Sequence, residues 1–319
     1  MSNLAIIHPG NLLGKELRET LGRGVTGPSW QEVRLLSTAE EEIGTLTEAG
    51  GAAAIVQRYE PGSLDGVSVA FFCGPIAANQ AALAELPPDV TAVVLSPDAT
   101  LADGHPVVAG INARPSGGGA AEVLVSPHPA VVLLAHLLHP LAEFAPREAV
   151  ATVVQPASLH DDPGIDELFE QTRQIIAMTP RRRSQVFGAQ LAFNLLPAAG
   201  AEDTAANVAA ALAAVLPAPP PLSLQLVQGG IFHCLAISLH LRCAASPTAQ
   251  AVRKALAASP FVELAHDPRH LGPIDAAASD KVLLGAVRKD ERGVWIWAAM
   301  DNLTRGGAVN ALEIAASVH

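Results

Sequence analysis

The sequence predicts an α/β chain in which a doubly wound parallel sheet is followed by a second, α+β domain. Three observations carry this reading. The N-terminal part alternates short apolar runs with amphipathic helical patterns. The C-terminal part carries long strand-like runs in succession, and 319 residues suit about two domains.

Leu4–Ile7 reads as a buried parallel strand, followed by a glycine-bearing turn and a helix near Leu12–Leu21. Val33–Leu36, Val67–Cys73, Thr91–Ser96 and Val107–Asn112 read as further strands, with a helical pattern over Ile76–Leu86. The texture changes near residue 122. Glu122–Ser126 is a strand, Ala130–Leu138 is helical until Pro140 bends or ends it, and Ala149–Gln155 is a β-branched strand. Gly164–Met178 is a helix, with Asp162 as its cap, Pro163 in its first turn and Asp166 and Glu167 at its positive end. Ile165, Leu168, Phe169, Ile175 and Ile176 share one face of it. An alanine-rich helix, Ala201–Leu216, ends at the stiff connector Pro217–Pro221. Leu222–Val227 and Ile231–Arg242 alternate as strands, and Val282–Val287 and Val294–Met300 form a hairpin around Lys289–Gly293. These strands predict an antiparallel or mixed sheet, closed by a helix over Ala308–Val318.

Half of the residues are hydrophobic and the formal net charge is −11, which argues against a nucleic-acid partner because phosphate binding needs a cationic face. The one basic run, Arg181-Arg182-Arg183, reads as a solvated loop, with an anion clamp as the alternative. Cys73, Cys234 and Cys243 form no disulfide framework, and no metal motif of the CxxC or HExxH type occurs. The start, Met1–Ile7, lacks the length and basic flank of a signal peptide, and no membrane-spanning run is found. A soluble cytoplasmic protein is expected.

Four segments point to a family. Gly164–Thr172 reads Gly-Ile-Asp-Glu-Leu-Phe-Glu-Gln-Thr, and Gln190–Pro197 reads Gln-Leu-Ala-Phe-Asn-Leu-Leu-Pro. Asp301-Asn302-Leu303 leads to Gly306-Gly307-Ala308-Val309-Asn310-Ala311, and Ser126-Pro127-His128-Pro129 stands earlier in the chain. In order and spacing this set resembles the aspartate-semialdehyde dehydrogenase family over nearly the whole chain, and its departures resemble the Usg-like paralogues. The resemblance implies a Rossmann-type nucleotide-binding-like domain over residues 1–125, completed by the C-terminal helix 304–319. It also implies an α+β dimerisation domain over 126–303, and hence a homodimer. In that family a cysteine thiolate attacks the aldehyde, a histidine is the base, hydride passes to NADP and phosphate attacks the thioester.

The family's nucleophile position is Pro129, with Leu137, Pro140 and Leu141 fixing the alignment downstream. Proline suits the first turn of a helix but has no nucleophilic atom. His233 matches the family's base and Gln155 its active-site glutamine, a relict catalytic pair. On a strand, His233 shares its face with Ile231, Leu235, Ile237 and Leu239, while Cys234 points the other way. Leu235 stands at the position of the family's acidic partner and Leu226 at that of a substrate-binding arginine. The loop Ser96–Asp103 holds no arginine, and the family's Glu-x-x-Lys is absent near 204–207. Cys73 reads as a small core residue at a strand end.

The family's Gly-x-x-Gly-x-x-Gly aligns with His8–Gly14, so that only Gly14 keeps its place, Asn11 replaces the second glycine and Gly10 compensates in part. Gly10, Asn11, Leu12, Leu13 and Gly14, with Ser37, Thr38 and Asn302, are the candidate cofactor-binding residues. Glu40, beside Glu41 and Glu42, stands for the arginine that receives the 2′-phosphate of NADP. No cofactor is assigned; NADP is disfavoured by Glu40 and NAD less so. The expectation is a homodimer without the thiol-based activity, a nucleotide-binding or regulatory protein. The rival is an NAD(P)-dependent oxidoreductase using His233 and Gln155 without covalent catalysis. A third reading keeps the parent activity through Cys73.

Overall fold

A computed structural model describes residues 2–24, 30–113, 122–180, 183–198 and 200–318. The chain divides into two compact units, Met1–Val132 with Gly306–His319, and Leu133–Arg305. The division falls inside a helix rather than before Ser126.

In the first unit, β1 (Ser2–Ile7) leads into α1 (Leu12–Arg23), β2 (Trp30–Ser37), β3 (Leu46–Ala49), β4 (Ala52–Arg58), β5 (Val69–Phe72) and α2 (Ile76–Ala84). There follow β6 (Thr91–Val94), β7 (His105–Pro106), β8 (Glu122–Val125) and α3 (Pro129–Leu138), which crosses into the second unit. The sheet has the order β3-β4-β2-β1-β5-β6-β8-β7. All its pairs are parallel except β3 with β4. Its central strands are apolar throughout because both faces are covered. Leu4, Ile6, Val69 and Phe71 pack on one side with Leu17 of α1, and Ala5, Ile7, Ala70 and Phe72 pack on the other with Ala82 of α2.

Two elements differ from the expectation. The β3–β4 hairpin was not legible as strands, yet its signal is a Gly50-Gly51 pair at φ 59° and 82°, the two-residue turn that matches strand twist. Val107–Asn112, expected as a strand, is a chain of turns. Val107 and Val108 are buried there, but Val108 N–H donates to Asn112 Oδ1 (2.9 Å) and Asn112 Nδ2 donates to Pro106 C=O (2.9 Å). An apolar run records burial, not ladder pairing.

The second unit holds β9 (Pro146–Gln155), α4 (Asp161–Ile176), β10 (Leu195–Pro197), α5 (Ala201–Val215), β11 (Leu222–Gly229) and β12 (Leu235–Cys243). After them come α6 (Ala249–Ala257), β13 (Val262–Leu264), β14 (Val282–Lys289) and β15 (Val294–Met300). They form a mixed sheet of order β10-β11-β9-β12-β15-β14-β13. Along β9, Ala149, Ala151 and Val153 are buried, whereas Thr152 and Val154 are half-buried and Val150 is 41% exposed. His240 and Trp295 lie beside Val150 in register. The β14–β15 turn is locked by Asp290, which accepts from Arg292 N–H (2.8 Å), Gly293 N–H (2.9 Å) and Trp295 Nε1 (2.7 Å).

Asp162 lies inside the first turn of α4 rather than before it. Phe169 and Ile176, expected on the packed face, are 61% and 71% exposed, and Leu168 alone of that group is fully buried. Arg181 and Arg182 of the basic run lie outside the described residues, and Arg183 is exposed. Among the described residues no helix is long and apolar enough to cross a membrane.

The last helix, α7 (Asn310–Val318), follows a wide turn over Thr304–Val309 and returns to the first unit. Ala308, Ala311, Leu312, Ile314 and Ala315 join the side of the sheet that carries Leu4, Ile6 and Phe71. Its polar anchor is Asn310, wholly buried. Asn310 Oδ1 accepts from Ala109 N–H (3.0 Å), and Nδ2 donates to Ser126 Oγ (2.9 Å) and Val107 C=O (3.2 Å). Substitution Asn310→Leu leaves these buried groups without partners. It is expected to lower stability by about 2–4 kcal/mol, read as a lower urea midpoint with an unchanged slope.

Candidate functional site

The sequence order places β1 between β2 and β5, so the crossovers leave it on opposite sides, the position where doubly wound sheets receive ligands. The candidate cofactor residues gather there. Asn11 caps α1, its Oδ1 accepting from Gly14 N–H at 2.7 Å. Gly14 has no room for a side chain, since a Cβ would lie 2.8 Å from the backbone of Pro9. Leu12 and Leu13 open the helix half-buried. Ser37 ends β2, fully buried, with its Oγ 3.2 Å from His8 Nδ1 and accepting from Ala39 N–H at 3.0 Å. Thr38 is exposed. Arg18 faces the turn but is engaged by protein groups. It donates to Pro9 C=O (3.2 Å), Thr47 Oγ1 (2.5 Å) and Glu48 C=O (2.7 Å), fastening the turn to β3.

Gly10 lies against a carboxylate. A Cβ there would lie 2.5 Å from Glu42 Oε1 and 2.8 Å from its carboxyl carbon, so the Glu42 carboxylate occupies the space that the glycine leaves. Glu42 Oε2 is buried and has no hydrogen-bond partner among the described residues. His8 stands nearby with a left-handed backbone (φ 55°); burial pulls its imidazole below the ordinary value, against the raising effect of Glu42. Glu40, at the expected 2′-phosphate position, is gripped by Arg58 through two contacts of 2.5 and 2.7 Å, which hold its carboxyl below the usual range. A dinucleotide pyrophosphate needs backbone approach at this turn and an environment that welcomes negative charge. The turn, filled by the carboxylate of Glu42 and capped by Asn11, does not fit one as it stands.

Pro129 is buried and is the first residue of α3. Its ring supplies the φ a helix start requires and removes one orphan N–H. His128 caps the helix, its Nδ1 accepting from Ala130 N–H at 3.1 Å. An acceptor nitrogen must be unprotonated, so the imidazole is neutral. Burial lowers its pKa to about 4.

In the second unit Gln155 and the bend that carries His233 lie at one end of the sheet. Gln155 ends β9, buried, and its carbonyl accepts from Gln228 Nε2 at 3.1 Å. Gln228 Oε1 in turn lies 3.2 Å from His160 Nε2. Ala157 N–H donates to Ile231 C=O (2.8 Å) and Ser158 N–H to Phe232 C=O (3.0 Å), so the bend carrying His233 is tied to the residues just beyond Gln155. His233 is exposed and does not lie on a strand; β12 begins only at Leu235. The reason is Cys234, whose left-handed backbone (φ 72°) breaks the pleat and turns the thiol inward. Cys234 is wholly buried, and burial, with Asp301 beside it, pushes its thiol far above the ordinary value.

Asn302, a candidate cofactor contact, is buried and holds this bend. Its Oδ1 accepts from Cys234 N–H (2.9 Å) and its Nδ2 donates to Ser158 Oγ (3.0 Å). Asp301 accepts from Ala278, Leu303 and Thr304 N–H groups. Leu226 and Leu235, in place of an arginine and an acid, are core residues. Among the described residues no three His, Cys, Asp or Glu side chains converge as they would around a metal ion. Sequence reasoning missed Glu42, Ser158, His160 and Gln228. For Glu42 no local signal exists, because its contact with Gly10 spans the turn and β2; for Ser158 the retained Asn302 is the clue.

His128 gives a pH signature. Its folded pKa lies below the unfolded value of about 6.5, so the unfolded chain binds the proton first and stability falls as pH drops from about 6.5 towards 4. His128→Asn keeps an acceptor cap and is expected to remove up to roughly 3 kcal/mol of that pH-dependent loss, measured by denaturant unfolding at pH 7 and pH 4.5. Cys234 is expected to resist iodoacetamide in the native state at pH 8, as checked by mass spectrometry of the intact and unfolded protein.

Known proteins place this arrangement. The model for the semialdehyde dehydrogenase dimerisation domain matches residues 138–305, more than half of the chain. A USG-1 protein homolog of Azotobacter vinelandii is 31% identical over 206 residues, which span 60% of this chain and 60% of that protein. The structure of a probable aspartate-semialdehyde dehydrogenase from Pseudomonas aeruginosa superposes with a TM-score of 0.88 at 25% identity, covering 98% of this chain and 97% of that one. A more distant likeness in fold, at 14% identity with a TM-score of 0.71 over 99% and 98% of the two chains, is the aspartate-semialdehyde dehydrogenase with NADP from Candida albicans. The doubly wound unit, the mixed-sheet unit and these matches together make the chain a member of the semialdehyde dehydrogenase family, of the Usg-like kind.

Proposed function

We propose that this protein is a homodimer that has lost the family's thiol-based dehydrogenase activity and acts as a binding or regulatory protein. One observation carries the reading: Pro129, buried at the first position of α3, has no atom able to attack a carbonyl. Neither Cys73 nor Cys234 replaces it. Cys73 is wholly buried among the apolar residues of the first unit. Cys234 is wholly buried beside Asp301 and resists ionisation. The apolar side chains of Leu226 and Leu235 leave no cation or acid at those positions for a dianionic substrate.

What remains of the site has defined work. Gln155 and the Gln228–His160 contact hold the end of β9, and Asn302 and Ser158 hold the bend before β12. His233 is thereby presented to solvent rather than held as the partner of a nucleophile. Purified protein supplied with aspartate semialdehyde, phosphate and NADP is expected to give no nucleotide reduction above the protein-free rate. Reduction abolished by a thiol reagent overturns the reading.

The dimer is supported by the family's dimerisation domain and by the half-exposed sheet face around Val150. Sedimentation velocity is expected to show a dimer at micromolar concentration, and Val150→Asp to shift it to monomer while the far-ultraviolet spectrum stays unchanged.

A further inference from the structure

We propose that Glu42 is an internal plug of the dinucleotide turn, standing where a phosphate would approach Gly10 and so closing the first unit to pyrophosphate-bearing ligands. The inference rests on reading this unit as a nucleotide-binding-like domain, and it names what governs entry. Two separate observations support it. The carboxylate lies directly on the glycine, at 2.5 Å from the place of a Cβ, which is the close approach that such a turn normally reserves for a ligand. Its second oxygen is buried without a hydrogen-bond partner among the described residues, while Arg18 and His8 act on the carboxylate only through charge.

The surroundings agree. Glu42 comes from the loop after β2, whose Ala39–Thr45 turn is tied by Glu42 N–H to Ala39 C=O (3.0 Å) and Thr45 N–H to Glu42 C=O (3.1 Å). The side chain therefore reaches the start of α1 from a fixed base, and a carboxylate near a helix start is electrostatically favoured there as a phosphate would be. Like charge and shared space make the two mutually exclusive. Gly10 is thus required by the plug itself, which explains a glycine kept at a shifted position while the family's second glycine is Asn11.

The test is calorimetric titration of the full chain with NAD and, separately, with inorganic pyrophosphate, comparing wild type, Glu42→Gln and Glu42→Ala. NAD affinity is expected to rise at least tenfold in Glu42→Ala, with a smaller gain in Glu42→Gln, which loses the charge but keeps the bulk. Glu42→Ala is expected to melt at or above the wild-type temperature, because it removes a buried carboxylate oxygen without a partner. Equal affinities in wild type and Glu42→Ala, whether strong or absent, overturn the proposal. So does a fall of several degrees in the melting temperature of both variants, which makes Glu42 a structural contact. Thiol-dependent turnover by the wild type defeats the proposed function and leaves this comparison standing, so the two failures are distinguishable.

Discussion

A parallel sheet buried on both faces must find cover on both, and most of the first unit follows from that requirement. Leu4, Ile6 and Phe71 point one way and Ala5, Ile7 and Phe72 the other, so helices are needed on each side. The chain leaves β1 towards one face and returns to β5 from the other, which fixes the turn from His8 to Gly14 at the open edge between them. The close approach of Gly14 to Pro9 and the capping of α1 by Asn11 are local solutions to that placement. A ligand seat arises at such an edge through topology alone. Whether anything enters is decided by side chains, and here a glutamate supplied by the neighbouring loop lies in it.

In the second unit, residues that match the family's motifs carry structural hydrogen bonds of their own. Asn302 satisfies the N–H of a residue held in a left-handed conformation, and Asp301 satisfies three backbone N–H groups at the start of the wide turn. Removing either would strand buried donors, a penalty of about 1–3 kcal/mol for each. Pro129 shows the converse: a helix start can be maintained without a thiol, by the ring and by the His128 cap.

Much of the fold was legible in the sequence because its strongest signals are long and local. The continuous apolar runs of β1, β5 and β6 and the β14–β15 hairpin lie close to where the residue pattern puts them. Failures came where a single residue overrode a pattern. Cys234 at φ 72° cut the expected strand Ile231–Arg242 short and exposed His233. Asn112 and Asn310 drew the backbone of Val107–Ala109 into turns. Of the candidate site, the capping of α1 next to Gly14 and the place of Gln155 at the end of a strand could be anticipated from motif order. The Glu42–Gly10 contact could not, since nothing in a linear pattern says which carboxylate of Glu40-Glu41-Glu42 turns inward.

The helix that begins at Asn310 has a consequence for biosynthesis. When the first 125 residues have been made, one side of their sheet is covered only in part by α1, because Ala311, Leu312, Ile314 and Ala315 come from much later in the chain. The second unit, contiguous from Leu133 to Arg305, emerges whole before then. The order of maturation is therefore inverted relative to the order of translation, and a nascent chain stalled before α7 leaves part of an apolar sheet face open for chaperones or proteases to recognise.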